Sequence, residues 1–128
     1  TWHGSRRVEV SWAVTRQAPQ AMADEAAEMC AHYGFRTLKV KGGQGLATDI
    51  EGIRAIRIAV GDRVALYVDC NGAYKPYEAA DYARAVGDAG ARVIEDPCPL
   101  APDAAFAALR VQSPIPILVD FCSWSLRD

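Results

Sequence analysis

The chain has 128 residues, 51% of them hydrophobic, with a formal net charge of −2 and a pI of about 5.6. That is enough apolar material to bury one core. Neither charge sign clusters into the basic footprint of a nucleic-acid binder, and no stretch approaches the roughly 20 apolar residues of a membrane span. The opening Thr-Trp-His-Gly-Ser-Arg-Arg lacks both an initiator Met and the apolar run of a signal peptide, so the sequence reads as interior to a longer chain. Cys30, Cys70, Cys98 and Cys122 show no CxxC pairing or zinc-ribbon spacing, as expected of buried reduced thiols in a cytoplasmic protein.

The elements alternate along the chain. A first strand is predicted over Arg7–Val14, with Val8, Val10, Trp12 and Val14 on one face. A helix follows over Pro19–Tyr33, with Met22, Ala26, Met29, Cys30 and Tyr33 at helical steps, Pro19 in its first turn and Gly34 just past its end. The second strand is Phe35–Val40, and Gly42, Gly43 and Gly45 form a turn into a helix over Thr48–Val60. Ile50, Ile53, Ile56 and Val60 make that helix's buried stripe. Val64–Val68 is a short apolar run suited to a strand covered on both faces. A helix over Pro76–Ala89 buries Ala79, Tyr82, Ala83 and Val86, and Gly90 stops it. The remaining elements are a strand at Arg92–Ile94, an alanine-rich helix at Pro102–Val111 and a strand at Ile117–Val119.

Strand and helix repeat every 25–30 residues or so, which implies a parallel sheet with right-handed crossovers in one domain. Five such strands suit either an open doubly wound sheet or part of an eight-stranded α/β barrel. The charged residues at the strand ends favour the barrel, which gathers every strand end on one face. Asp69, Glu95 and Asp120 end three successive strands at intervals of 26 and 25 residues. Three converging carboxylates repel one another unless a cation sits among them, so the series reads as a divalent-metal site for Mg²⁺.

Lys39 and Lys41 are two apart on the second strand and so share a face. Each ammonium disfavours the other's charge, which is expected to lower a lysine pKa towards the range of a general base. Asp69 and Asn71 share a face in the same way, while Cys70 turns away. Glu95 and Asp96 cannot both face inward on a regular strand; Glu95 fits the repeat, and Pro97 turns the chain at Asp96.

The Lys-x-Lys of strand two, Asp-x-Asn of strand three, Glu-Asp-Pro of strand four and Asp of strand five resemble the enolase superfamily. The likeness is to its mandelate racemase and muconate-lactonizing branch, and it covers nearly the whole chain as the first five strands of a (β/α)₈ barrel. The resemblance implies that Asp69, Glu95 and Asp120 bind Mg²⁺ and that Lys41 removes a proton α to a substrate carboxylate. It further implies that Lys39 tunes Lys41 and holds that carboxylate, and that Asn71 supports the metal shell. The implied reactions, racemisation, epimerisation, acid-sugar dehydration and cycloisomerisation, share an enediolate intermediate on a small carboxylate substrate. A homo-oligomer, or association with the remainder of the same polypeptide, is implied as well.

The chain departs from that pattern in three ways. The branch carries an N-terminal capping domain and barrel strands six to eight with a second acid/base, and these 128 residues are expected to fall short of both. Phe121 stands where many relatives have Glu after the strand-five Asp. His3 and His32 do not replace the second acid/base, His32 falling on the first helix beside Tyr33. The main alternative is a catalytically incomplete piece that binds metal without turnover. A phosphoreceiver-like module would need an acidic pair after strand one, where Ala13, Val14 and Thr15 stand. A Schiff-base aldolase would need one lysine isolated in an apolar pocket.

Overall fold

A computed structural model describes residues 8–123. Five parallel strands, β1 (Trp12–Val14), β2 (Thr37–Lys41), β3 (Ala65–Asp69), β4 (Val93–Glu95) and β5 (Ile117–Leu118), lie side by side in chain order. Helices α1 (Pro19–Tyr33), α2 (Leu46–Val60), α3 (Ala79–Asp88) and α4 (Ala104–Gln112) connect them. The order β1-β2-β3-β4-β5 never reverses, so the described residues contain no switch point of the doubly wound kind. It is the layout of a barrel arc.

The strands sort their side chains by alternation. Val14, Leu38, Val40, Leu66, Val68 and Ile94 point one way, into a core completed by Met22, Ala26, Ile53, Ile56, Tyr82 and Val86 from the helices. The alternate residues Lys39, Lys41, Tyr67 and Asp69 lie on the opposite face, where Ser11 Oγ and Tyr67 OH are 3.0 Å apart. Right-handed crossovers put successive helices on one face of the sheet, and the other face is left for polar groups.

α1 spans the residues its end signals predict. Proline occupies its first turn, and Gly34, at φ 73°, closes it in the left-handed conformation, its N–H reaching Cys30 O at 3.1 Å. Tyr33 departs from the predicted stripe: it is exposed and packs edge-on against His32. β1 is shorter than predicted, and Val8 and Val10 are 80% and 67% exposed. The reason is register. Trp12 pairs with Leu38 and β2 begins at Thr37, so Val8 and Val10 lie beyond the start of β2 and have no strand beside them. Arg7 and His3 lie outside the described residues.

α3 starts three residues after Pro76 because residues 75–78 form a turn instead. Glu78 N–H donates to Lys75 O at 2.9 Å, and Lys75 N–H donates to the Glu78 carboxylate at 2.9 Å. β2, β3 and β4 each run one residue past the predicted end and so take in Lys41, Asp69 and Glu95. The four cysteines are free thiols. Among the described residues no helix is long and apolar enough to cross a membrane.

Candidate functional site

Lys41, Asp69 and Glu95 occupy one register row, Lys41 opposite Asp69 and Asp69 opposite Glu95. Parallel pairing therefore sets the three side chains next to one another on the face away from the helices. The same row continues to Leu118, which puts Asp120 two residues further on at the same end of the sheet. Backbone bonds extend this stitching past the strands. Cys70 N–H donates to Glu95 O at 3.0 Å, Gly72 N–H to Asp96 O at 2.7 Å and Asp96 N–H to Leu118 O at 3.1 Å.

The charges meet directly. Lys39 Nζ lies 2.8 Å from Glu95 Oε1 and 2.9 Å from Asp69 Oδ2, and Lys41 Nζ lies 2.5 Å from the same Oδ2. Asn71 closes the group, its Oδ1 accepting from Lys41 at 3.2 Å and its N–H donating to Asp69 Oδ1 at 3.0 Å. Asn71 holds φ at 51°, a left-handed value that asparagine tolerates, and this returns its side chain to the row it left. Lys39 also stands over the Tyr67 ring, 5.8 Å from its centroid.

These contacts set the ionisation of the group. Burial disfavours the Asp69 carboxylate, but hydrogen bonds from Lys41, Lys39 and the Asn71 N–H outweigh it and hold its pKa below the ordinary value. Glu95 goes the other way. Burial raises its pKa, Lys39 offsets part of that rise, and the charges of Asp69 and Asp120 add to it. Lys39 corrects the expectation of a lowered pKa. Burial pulls it down, yet the hydrogen bonds to Glu95 and Asp69, and the charges of both carboxylates, win and raise it.

The acidic cluster differs from the expected trio in one member. Oxygens of Glu95, Asp96 and Asp120 lie within 4.8 Å of one another, and Asp69 is tied to Glu95 through Lys39. Asp96 was expected to turn outward. Instead it sits at φ 41°, is buried beside Glu95, and accepts from Asp120 N–H at 3.2 Å and Phe121 N–H at 3.0 Å. A left-handed residue breaks the strict alternation of a strand, so adjacent carboxylates reach the same side. The acid before Pro97 was the signal available in the sequence.

The donors suit a hard cation. Glu95 Oε2 is buried with no hydrogen-bond partner, an orphaned carboxylate oxygen that would normally be costly. Oxygens held at 2.0–2.1 Å by Mg²⁺ stand at most about 4.2 Å apart, close to the span of the cluster. Lys41, Lys39, Asp69, Glu95, Asn71 and Asp120 thus gather at one end of the sheet, joined by Asp96.

A family model described as enolase C-terminal domain-like matches residues 21–128. A hydrophobic dipeptide epimerase of Enterococcus faecalis is 39% identical over 79 residues, covering 62% of this chain and 22% of the relative. A chloromuconate cycloisomerase of a Pseudomonas species is 32% identical over 114 residues, covering 88% of this chain and 31% of the relative. Among solved structures, an enolase from Bradyrhizobium complexed with magnesium and mandelic acid superposes with a TM-score of 0.84 at 31% identity. It covers 95% of this chain and 34% of that one. The chain thus spans about a third or less of the length of the relatives it matches. Those relatives are enzymes, and the solved neighbours are barrel enzymes of the enolase superfamily. On the family match, the unbroken strand order and the row of charged strand ends, the chain belongs to the enolase C-terminal domain-like family, in its mandelate racemase and muconate-lactonizing branch.

Proposed function

We propose that this chain carries the proton-abstracting half of a Mg²⁺-dependent enzyme acting at the carbon α to a carboxylate. The observation that supports this best is the charged row itself: two ammonium groups and two buried carboxylates at the ends of three adjacent parallel strands. In this reading Asp69, Glu95 and Asp120 hold the metal, which when bound supplies Lewis-acid neutralisation of charge building on the substrate carboxylate. The unpartnered Glu95 Oε2 supports that assignment.

Lys41, as a free amine, takes the α-proton. The C–H bond breaks, the new N–H bond forms at Nζ, and the electron pair spreads onto the substrate carboxylate. Lys39 provides a fixed positive charge that pairs with that carboxylate, a role that its raised pKa favours. Asn71 steadies Lys41 through its Oδ1. Return of the proton to the other face gives racemisation or epimerisation. Loss of a β-substituent gives elimination, and the same sequence run in reverse, internal addition to a double bond followed by proton delivery from Lys41 to the α-carbon, gives cycloisomerisation. Dipeptide epimerases and chloromuconate cycloisomerases among the relatives support a small carboxylate as substrate.

A second ligand set is favoured by the 4.8 Å cluster, with Asp96 in the place of Asp69. Against it, both Asp96 oxygens already accept backbone N–H groups of the β5 end, the arrangement of a strut for Asp120.

The test uses the full-length protein in D₂O with MgCl₂ and a panel of dipeptides and α-hydroxy acids, following loss of the α-proton signal by NMR. Wild type should exchange at least one of them. Lys41→Ala should abolish exchange and leave calorimetric Mg²⁺ affinity nearly unchanged. Exchange that survives in Lys41→Ala refutes the base assignment, and Mg²⁺ binding without any exchange in wild type favours the metal-binding but inactive alternative.

A further inference from the structure

Behind the charged row lies a second cluster of polar groups, on the helix side of the sheet. Asp49, in the first turn of α2, is only 5% exposed, and four donors converge on its carboxylate. Oδ2 accepts from Gly43 N–H at 2.8 Å, Tyr74 OH at 2.6 Å and Tyr82 OH at 2.6 Å, and Oδ1 accepts from Gln44 N–H at 3.2 Å. The tyrosines stack with centroids 4.0 Å apart, and burial first, then the bond to Asp49, raises the pKa of Tyr74. A carboxylate costs far more to bury than an amide or a hydroxyl, so its presence here calls for a purpose beyond filling space.

What these bonds hold is the turn directly after Lys41. Gly42 N–H donates to Asp69 O at 2.9 Å, and Gly42 O accepts from Arg16 Nε at 2.9 Å. A Cβ on Gly42 would stand 2.8 Å from Val68 Cγ1, 3.0 Å from Tyr82 OH and 3.1 Å from Asp49 Oδ2. The next residue, Gly43, sits at φ 80°, and a Cβ there would stand 2.9 Å from both Cys70 O and Ala73 Cβ. The peptide following Lys41 is therefore fixed by β3, by Arg16 from the β1–α1 loop, by Asp49 from α2, and through Asp49 by two tyrosines that follow β3.

We propose that Asp49 is a positioning residue for Lys41: its carboxylate clamps the Gly42–Gly43 turn against Tyr74 and Tyr82 and so fixes where the lysine side chain starts. The inference rests on Lys41 being the base, as proposed above. A helix cap alone would need one acceptor for one or two N–H groups of α2. Asp49 instead gathers donors from the loop after β2, the loop after β3 and α3, which links the placement of Lys41 at the end of β2 to that of Asp69 and Asn71 at the end of β3. Proton transfer falls steeply with small misplacements of donor and acceptor, so slack in this turn acts on the rate rather than on binding.

The test compares Asp49→Ala, Asp49→Asn and Tyr82→Phe in the full-length protein, with Lys41→Ala alongside. The probe is the panel compound that wild type exchanges, assayed well below each variant's melting temperature. Asp49→Ala should lower kcat for α-proton exchange on the order of 100-fold, with KM and the Mg²⁺ Kd moving less than about threefold. Asp49→Asn can turn its amide oxygen to the three donors at Oδ2 and should restore most of kcat. Should Asp49→Ala not fold, Tyr82→Phe, which removes one donor and keeps the ring, should lower kcat about tenfold with the same KM. An unchanged kcat in the folded Asp49 and Tyr82 variants, with only a lower melting temperature, overturns the inference and leaves Lys41 as the base. Exchange that persists in Lys41→Ala overturns both readings at once.

Discussion

Replacing Asp69 by Asn separates the metal from the ion-pair network, because the side chain serves both. The Asp69 side chain is 1% exposed and receives Lys41 at 2.5 Å and Lys39 at 2.9 Å on Oδ2, and the Asn71 N–H at 3.0 Å on Oδ1. In the amide, one oxygen keeps the Asn71 bond while an NH₂ group faces two ammonium ions. Losing hydrogen bonds to charged groups costs about 1.5–3 kcal/mol each. The lysine side chains are 20% and 32% exposed and can rehydrate, so the net loss without metal is about 1–3 kcal/mol. The effect on Mg²⁺ is larger in relative terms. A neutral donor for an anionic ligand should raise the Kd about 100-fold, or about 2.8 kcal/mol. Urea unfolding in EDTA measures the first quantity and titration calorimetry on the full-length protein the second. A Kd within twofold of wild type would refute Asp69 as a ligand. If Asp96→Asn then abolished binding, the third ligand would be Asp96.

Two further outcomes concern pH and a helix end. The folded Glu95 carboxyl is raised, so between about pH 4.3, its unfolded value, and its higher folded value the unfolded chain holds fewer protons. Glu95 therefore makes stability fall as pH rises through that window. Glu95→Gln should remove this fall in metal-free unfolding curves, and a slope that stays belongs to another group. Asp69 has the opposite sign: its depressed pKa contributes stability above about pH 3.9 that is lost as pH drops through the folded value. Asp103 caps α4 by accepting from Phe106 N–H at 2.9 Å, so Asp103→Ala should cost about 1 kcal/mol in a denaturant melt with no change in Mg²⁺ affinity.

Much of the fold is legible in the sequence where the end signals are local. Pro19 and Gly34 bracket α1 by backbone geometry alone, and both ends agree with the structure. The start of β1 is not local. Val8 and Val10 alternate like strand residues, but whether they pair depends on where β2 begins, some 25 residues later. Lys41, Asp69 and Glu95 are legible as strand ends because the repeat length sets their spacing, and the register row bears out their adjacency. Asp96 is missed because one left-handed φ lets both acids of the Glu-Asp-Pro motif turn inward. The Asp49 clamp is missed as well, although a clue exists: Asp49 lies one turn before Ile53 and two before Ile56, a charge on an otherwise apolar stripe. The tyrosine hydroxyls that satisfy it come from the β3–α3 loop (Tyr74) and from α3 (Tyr82), 25 and 33 residues further along the chain, and no local pattern ties them to Asp49.

The alternation that separates the two faces of the sheet also makes the chemistry a guard on register. Slide β2 by one residue and Leu38 and Val40 exchange places with Lys39 and Lys41. Two ammonium groups would then press into the side of the sheet occupied by Ile53 and Ile56, while Glu95 would be left buried and unpaired. Such a slip would cost several kcal/mol on each face. Misthreaded sheets are thus rejected by the charges themselves, so a chain that reaches a stable parallel arrangement has already put its functional groups on the correct side.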